Sequence, residues 1–292
     1  MPDFDQRQGE WHAPGQAEAW THSGPVAAAD VLWWLDSRRE PGHTPPPVSS
    51  DGYPLVSSFG SWDDHAALNV VPLVNDLAQR LDTNGVRTGG QHLGTTPSEL
   101  VTALQDYLVD KGQQSDYAVA LLQSPTLERL LGLAARGDGV VLYLGLWEDQ
   151  GGGAWVYLGG HYAALAGAEP LNRLLAVSDP LRDAFEAGET PLGRTLNHHL
   201  YPHAADVHNE AQYVSQDAYH VVSLAVPEGR GAALALDDYP SLEALIGQNS
   251  ASEFEAYAGY YGGGVIHAKL EYAIALSRSN TLFLPIILRR AR

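Results

Sequence analysis

Thr21-His22-Ser23-Gly24-Pro25-Val26-Ala27-Ala28-Ala29-Asp30-Val31-Leu32-Trp33-Trp34-Leu35 is the stretch around which the rest of the chain is organised. It reads as a helix running to about Arg38, with Ser23 at the N-cap and Pro25 in the first turn, where a missing N–H costs nothing. Whatever stands at position 23 is held at the positive end of a helix. An ordinary cap suits that place, because serine is among the best N-caps. A nucleophile suits it too, since the helix field favours a thiolate and first-turn N–H groups can receive an oxyanion.

Composition bounds what such a site could serve. A chain of 292 residues buries a full core as one large domain or two modest ones. Hydrophobic residues make up 45%, yet no apolar run approaches the ~20 residues of a membrane span, so none is expected. With 17 Lys+Arg against 35 Asp+Glu the formal charge is −18. Such a surface repels nucleic acid and anionic lipid and attracts basic peptides. Cysteine is absent, which excludes disulfides and thiolate metal sites. Met1-Pro2-Asp3 has neither the basic start nor the apolar stretch of a signal peptide. The 14 Tyr, 7 Trp and 30 Gly beside one Met favour strands, turns and exposed aromatic surface, a balance common in extracellular enzymes, so a secreted protein is expected.

Working outward from the opening helix, residues 1–22 read as an extended approach followed by a loop, and Pro41-Gly42-His43-Thr44-Pro45-Pro46-Pro47 forces an exposed connection. Helical spacing recurs over 65–82 through Leu68, Val71, Leu73, Val74, Leu77 and Leu81. Thr96-Pro97-Ser98-Glu99 caps a further helix that stops at Lys111-Gly112, and another covers 125–136. From Gly139 the period changes. Val140–Trp147, Trp155–Gly167, Leu174–Val177 and Tyr219–Val226 read as strands. In the tail a short helix is expected at 241–247 and a strand at 281–288. Ile266, Ala268, Leu270, Tyr272, Ile274 and Leu276 alternate as in a half-buried strand, although Ile266, Leu270 and Ile274 would also share a helix face.

Helices first and strands second is the order of an α+β protein, with an N-terminal helical half packed on an antiparallel sheet or partial barrel. Residues 1–226 are read as the main domain, 183–218 as a loop-rich insertion, and 227–292 as a C-terminal extension packed on the same domain.

Two further residues join Ser23. His161 follows Gly159-Gly160 where a loop or bulge enters an apolar strand, and the glycines allow close approach of other backbone or of substrate. Asp179, in Val177-Ser178-Asp179-Pro180, ends the next strand. Paired antiparallel, the two strands would set the carboxylate beside the imidazole, fixing its tautomer and stabilising an imidazolium. His161 follows Ser23 by roughly 140 residues, the interval at which a distant histidine serves a nucleophile on an early helix. Each residue has a plainer reading as well: a capping serine, a strand-edge histidine and a turn-initiating aspartate.

Ser23-Gly24-Pro25-Val26-Ala27-Ala28-Ala29, Gly160-His161-Tyr162 and Ser178-Asp179-Pro180 resemble the Cys-Gly-Pro-x-x-x-Ala, Gly-His-Tyr/Phe and Asp-Pro motifs of the C39-like group of papain-fold cysteine peptidases. The likeness covers residues 1–40 and 137–182, with a more general match of the helical part between, and leaves 41–65, the histidine-rich stretch and the C-terminal tail unassigned. It implies a papain-like fold, a peptide or protein substrate and hydrolysis through a thioester that needs no cofactor. Carried over, Ser23 takes the nucleophile position, His161 that of the general base and Asp179 that of the orienting acid. Gln6, in an opening that is similar to the family's oxyanion-hole strand, is the first choice as oxyanion donor, with Gln8 and Gln16 as alternatives. The family's nucleophile is cysteine, so the resemblance implies an inactive form in which serine replaces the thiol.

Other readings stay open. A Ser-His-Asp hydrolase would use Ser23 as it stands, but the Gly-x-Ser-x-Gly elbow is missing. His198, His199, His203 and His208 with Asp206 and Glu210 could bind zinc, although Asn197, Pro202 and Asn209 indicate a solvated loop. His267 and Glu271 invite the same thought and are expected on an exposed strand face. A silent peptide-binding protein could line its groove with Trp147, Trp155 and Tyr157.

Overall fold

The computed structural model describes residues 4, 11–13, 16–39, 52–57, 67–90, 92–180, 217–225, 232–236 and 265–279. The expected 41–47 connection, 241–247 helix and 281–288 strand, the histidine-rich stretch from His198 to Glu210, and Gln6 and Gln8 lie outside them. Of Gln16 only the backbone is described.

The approach to the first helix contains a short hairpin, β1 (His12–Ala13) and β2 (Gln16–Trp20). Then come α1 (Ser23–Ser37), α2 (Ala67–Arg80) and α3 (Pro97–Asp110). The start of α3 is the capping box read from the sequence: Thr96 Oγ1 accepts from Glu99 N at 3.3 Å while Glu99 Oε2 accepts from Thr96 N at 2.7 Å. A strand, β3 (Tyr117–Gln123), precedes α4 (Leu127–Arg136). Thr126 caps α4, and Gly137 ends it in the left-handed conformation, φ 71°. The remaining strands are β4 (Gly139–Asp149), β5 (Trp155–Glu169), β6 (Leu174–Ser178), β7 (Asp217–Ala225), β8 (Ala232–Leu236) and β9 (Val265–Arg278).

Among the described residues the architecture is mixed: four α-helices and an antiparallel seven-stranded sheet in the order β3-β9-β4-β5-β6-β7-β8. A further pairing of β8 with β9, Ala235 opposite Lys269 and Leu236 opposite Ala268, curls the sheet into a half-barrel. β9 runs between β3 and β4, so the C-terminal part supplies a central strand.

The sheet is covered on both faces, which is why β4 reads as one continuous apolar run. Val140, Leu142, Leu144 and Leu146 share a cluster with Leu158, Ala163 and Leu165 of β5 and with Leu127, Leu130 and Leu133 of α4. Val141 and, half-buried, Tyr143 point the other way, toward α1, α2 and α3.

β9 is a strand, as the alternation suggests, but its apolar residues do not share one face. The register with β4 slips, Tyr143 opposite Tyr272 and Leu144 opposite Leu270, so Glu271 is the extra residue of a bulge. As a result Ala268 and Leu270 pack with the α4 cluster, whereas Ile274 and Leu276 pack with the helical half. A single inserted residue reverses the parity of everything after it.

Candidate active site

Ser23 is the first residue of α1, and the cap position belongs to His22. The plain N-cap reading of Ser23 therefore gives way. Its hydroxyl is turned to the sheet, where Oγ accepts from the backbone N–H of Tyr162 at 3.4 Å. Pro25 falls within the first turn, and the first helical bond there is Val26 N to His22 O at 3.0 Å. The amides of Ser23 and Gly24 precede that bond and are the helix's own candidates for receiving negative charge.

The strands explain why Ser23 can reach Tyr162. β6 pairs with β5 only as far as Ser178 opposite Ala164, and beyond that point β5 keeps β4 alone, with Tyr143 opposite Tyr162 and Leu144 opposite His161. The edge that a longer β6 would have occupied is where the start of α1 docks.

His161 Nε2 donates to Asp179 Oδ1 at 2.6 Å, with both side chains 1% exposed. Strand alternation puts His161 on the side of Ala163 and Leu165, away from Tyr162 and Ala164. The ring and its acid thus lie against the aliphatic face, in surroundings of low polarity that strengthen their attraction. Ser23 meets the same strand edge-on, one residue further along. Because its Oγ lies 3.4 Å from the Tyr162 nitrogen, it is within about 6 Å of the His161 Cα by covalent geometry alone. Asp179 thus follows the end of β6, and His161 and the docking point of Ser23 lie on the stretch of β5 just beyond it.

The close neighbour of Gly160 is neither substrate nor distant backbone. A Cβ there would collide with the ring and hydroxyl of Tyr143, so it is the protein's own tyrosine that lies flat on this glycine. Tyr143 in turn stands 4.8 Å from the Tyr162 ring, centroid to centroid, and shares a 2.6 Å hydrogen bond with the hydroxyl of Tyr157. Opposite, Gly145 makes room in the same way for Glu271 and Trp147. The Trp147 and Tyr157 rings, 5.2 Å apart, pack on each other, so part of the aromatic surface read from the sequence is spent on internal contact.

A wall beside Ser23 comes from residues 82–90 and 92–95, between the second and third helices. Tyr162 Oη donates to Thr95 O at 3.0 Å, and a side chain at Gly24 would press on Thr95 and Tyr162. Burial holds the Tyr162 phenol well above its ordinary pKa, which keeps it a neutral donor. Asp82 and Asn84 are both left-handed, at φ 51° and 60°, a conformation that strains any residue with a Cβ. Their side chains compensate. Asn84 donates to Thr21 Oγ1 at 2.8 Å and accepts from Gly94 N at 2.7 Å, tying the wall to the residues just before Ser23. Asp82 accepts from Arg87 N, Thr88 N and the Thr88 hydroxyl. The hydroxyl contact above all holds its carboxyl below the ordinary range.

His267 and Glu271 are half-buried, where the alternation predicts exposure. The imidazole of His267 packs on Trp155, while Glu271 accepts from Trp147 Nε1 at 3.0 Å and from Lys269 Nζ at 3.4 Å. No group of three metal-ligating side chains occurs among the described residues, and no described helix is long and apolar enough to cross a membrane. Neither the protein-family models nor the curated proteins contain a match to the chain.

Proposed function

We propose that this chain is a papain-like, C39-like cysteine peptidase domain with serine at the nucleophile position, whose thiol form cleaves peptide bonds through an acyl-enzyme. The observation that carries the reading is the buried 2.6 Å His161–Asp179 pair set beside a helix-terminal side chain at position 23. Neither half alone would suffice.

In the proposed reaction the acid holds the ring through Nε2, and the ring's other nitrogen takes the nucleophile's proton. A thiolate would sit at the start of α1 with the Tyr162 N–H aimed at it, both of which favour negative charge on sulfur. It attacks the carbonyl carbon, and the first-turn amides of α1, with Gln6 as the proposed side-chain donor, take up the oxyanion. The C–N bond then breaks, the imidazolium gives its proton to the leaving amine, and water releases the acid product from the thioester. The acidic balance of the chain suits basic peptides, and a site of action outside the cytoplasm fits its aromatic, glycine-rich composition.

A hydroxyl gains little from the same surroundings. It must lose its proton during attack, and its shorter C–O arm stands back from a carbonyl placed for sulfur, a misplacement worth about 10²-fold. The serine form is therefore read as catalytically silent and able to hold peptide. Ser23→Cys should confer peptide hydrolysis that iodoacetamide abolishes. A thiol that is alkylated in a protein still unable to hydrolyse any peptide would overturn the proposal, and labelling of the serine form by a fluorophosphonate would favour a serine hydrolase instead.

A further inference from the structure

Asp30 is wholly buried, 0% exposed, in a helix face that is otherwise apolar from Val26 to Leu35. A carboxylate in such a place costs several kcal/mol unless its oxygens are satisfied. Here each oxygen serves a different segment: Oδ1 accepts from Phe4 N at 2.9 Å, and Oδ2 accepts from Ser178 Oγ at 3.4 Å. Ser178 is the last residue of β6 and the one immediately before Asp179. Asp30 lies two turns beyond Ser23 on the same flank of α1, about 10 Å along the axis.

The helix is thus pinned to the sheet at two points. Ser23 is held to β5 at the Tyr162 amide, and Asp30 is held to the end of β6. Core packing holds α1 along its length, and these two bonds add directional ties, one to β5 and one to the end of β6. The second pin also sets where the carrier of the acid stands relative to the carrier of the nucleophile. We infer that Asp30 is a positioning residue, whose carboxylate sets the spacing between the residue at position 23 and the His161–Asp179 pair. The inference rests on the proposed function only in what it says about the thiol. The placement of the ring against its acid is a property of the serine form as well.

Asp30→Asn keeps the volume but offers an N–H to one of the two donors. Ser178→Ala removes the β6 pin alone and leaves the Phe4 bond intact, while Ser178→Thr keeps a hydroxyl. In the Ser23→Cys protein, Asp30→Asn and Ser178→Ala should slow iodoacetamide alkylation at neutral pH by about tenfold to a hundredfold. Each should also move the midpoint of its pH profile upward and lower kcat by a similar factor, with KM changed less than about twofold. Ser178→Thr should restore the parent profile. In the serine form, the same two variants should shift the pH titration of the His161 ring followed by 15N NMR of histidine-labelled protein.

Variants that lower the urea midpoint while leaving both the alkylation profile and the His161 titration at parent values would make Asp30 a structural brace and overturn the inference. Should Asp30→Asn fail to fold, Ser178→Ala decides between the two roles. If the Ser23→Cys protein hydrolyses no peptide even with Asp30 intact, the peptidase reading falls, and the NMR titration still decides the positioning role.

Discussion

The two faces of the half-barrel sheet are filled in different ways. On the α4 side every buried cluster member is aliphatic, built from Leu, Val and Ala. On the α1 side the cluster carries Phe4, Trp11, Trp33, Tyr107, Tyr117 and Tyr162, and the buried carboxylates Asp30 and Asp36 lie within it. Asp36 there accepts from Leu55 N at 2.9 Å and Val56 N at 2.7 Å, fastening a distant segment to the helix. Away from the His161–Asp179 pair the aliphatic cluster is held by shape and area, whereas the helical face adds directional contacts to its packing. The candidate site joins the two at the open edge of β5, with the His161–Asp179 pair on the aliphatic side and Ser23 approaching from the helical one.

Removing polar groups should expose this division most strongly at the pair. Asp179→Ala takes the acceptor from His161 Nε2 in an apolar setting, and should cost about 3 kcal/mol of unfolding free energy in urea. In the Ser23→Cys protein it should also lower kcat by about 10²-fold or more, in the range of general-base loss. A stability loss below about 1 kcal/mol would mean that the pair is far better solvated than its burial indicates.

A smaller effect is expected where the helical face leans on backbone. Gly160→Ala forces Tyr143 off the strand and should cost about 1–3 kcal/mol, as overpacking does. In a Tyr143→Ala background Gly160→Ala should cost less than it does in the parent. Strict additivity in that double-mutant cycle would show that Tyr143 does not rest on Gly160.

The wall loop offers the mildest test, through pH. Because the Asp82 carboxyl titrates below its unfolded value, its stabilising contribution is complete above the ordinary aspartate range and fades as pH falls through the lowered folded value. Urea midpoints followed from about pH 5 down to about pH 2 should therefore drop less steeply in Asp82→Asn than in the parent. Parallel curves would remove Asp82 from the acid response.

Much of this is legible in residue order, and the failures have physical causes. Thr96-Pro97-Ser98-Glu99 announces α3, and the unbroken apolar run of β4 announces a strand covered on both sides. β8, Ala232–Leu236, escapes because Ala-Ala-Leu-Ala-Leu is made of good helix formers and becomes a strand only through its neighbours β7 and β9. β3 escapes because Tyr-Ala-Val-Ala-Leu-Leu-Gln is apolar almost throughout while its burial hardly alternates. The bulge at Glu271 is invisible in a pattern that reads as perfect alternation across it. At the site, His161 and Asp179 can be found as motifs, but the Tyr162 amide carries no side-chain signature and Asn84 is a common turn residue. Asp30 does leave a signal: an acid among Val, Ala, Leu and Trp on one helix face is out of place unless something far off in the chain needs it.

The position of β9 has a consequence for how the protein is made. Until Val265–Arg278 has left the ribosome, β4 has only β5 beside it among the described strands, and β3 has yet to meet the strand it pairs with. Contacts between segments far apart in the chain must then form at once, a topology that folds slowly and leaves strand edges open meanwhile. Until then the facing edges of β3 and β4 stand as unpaired rows of N–H and C=O groups among the described strands, open to pairing with the wrong partner.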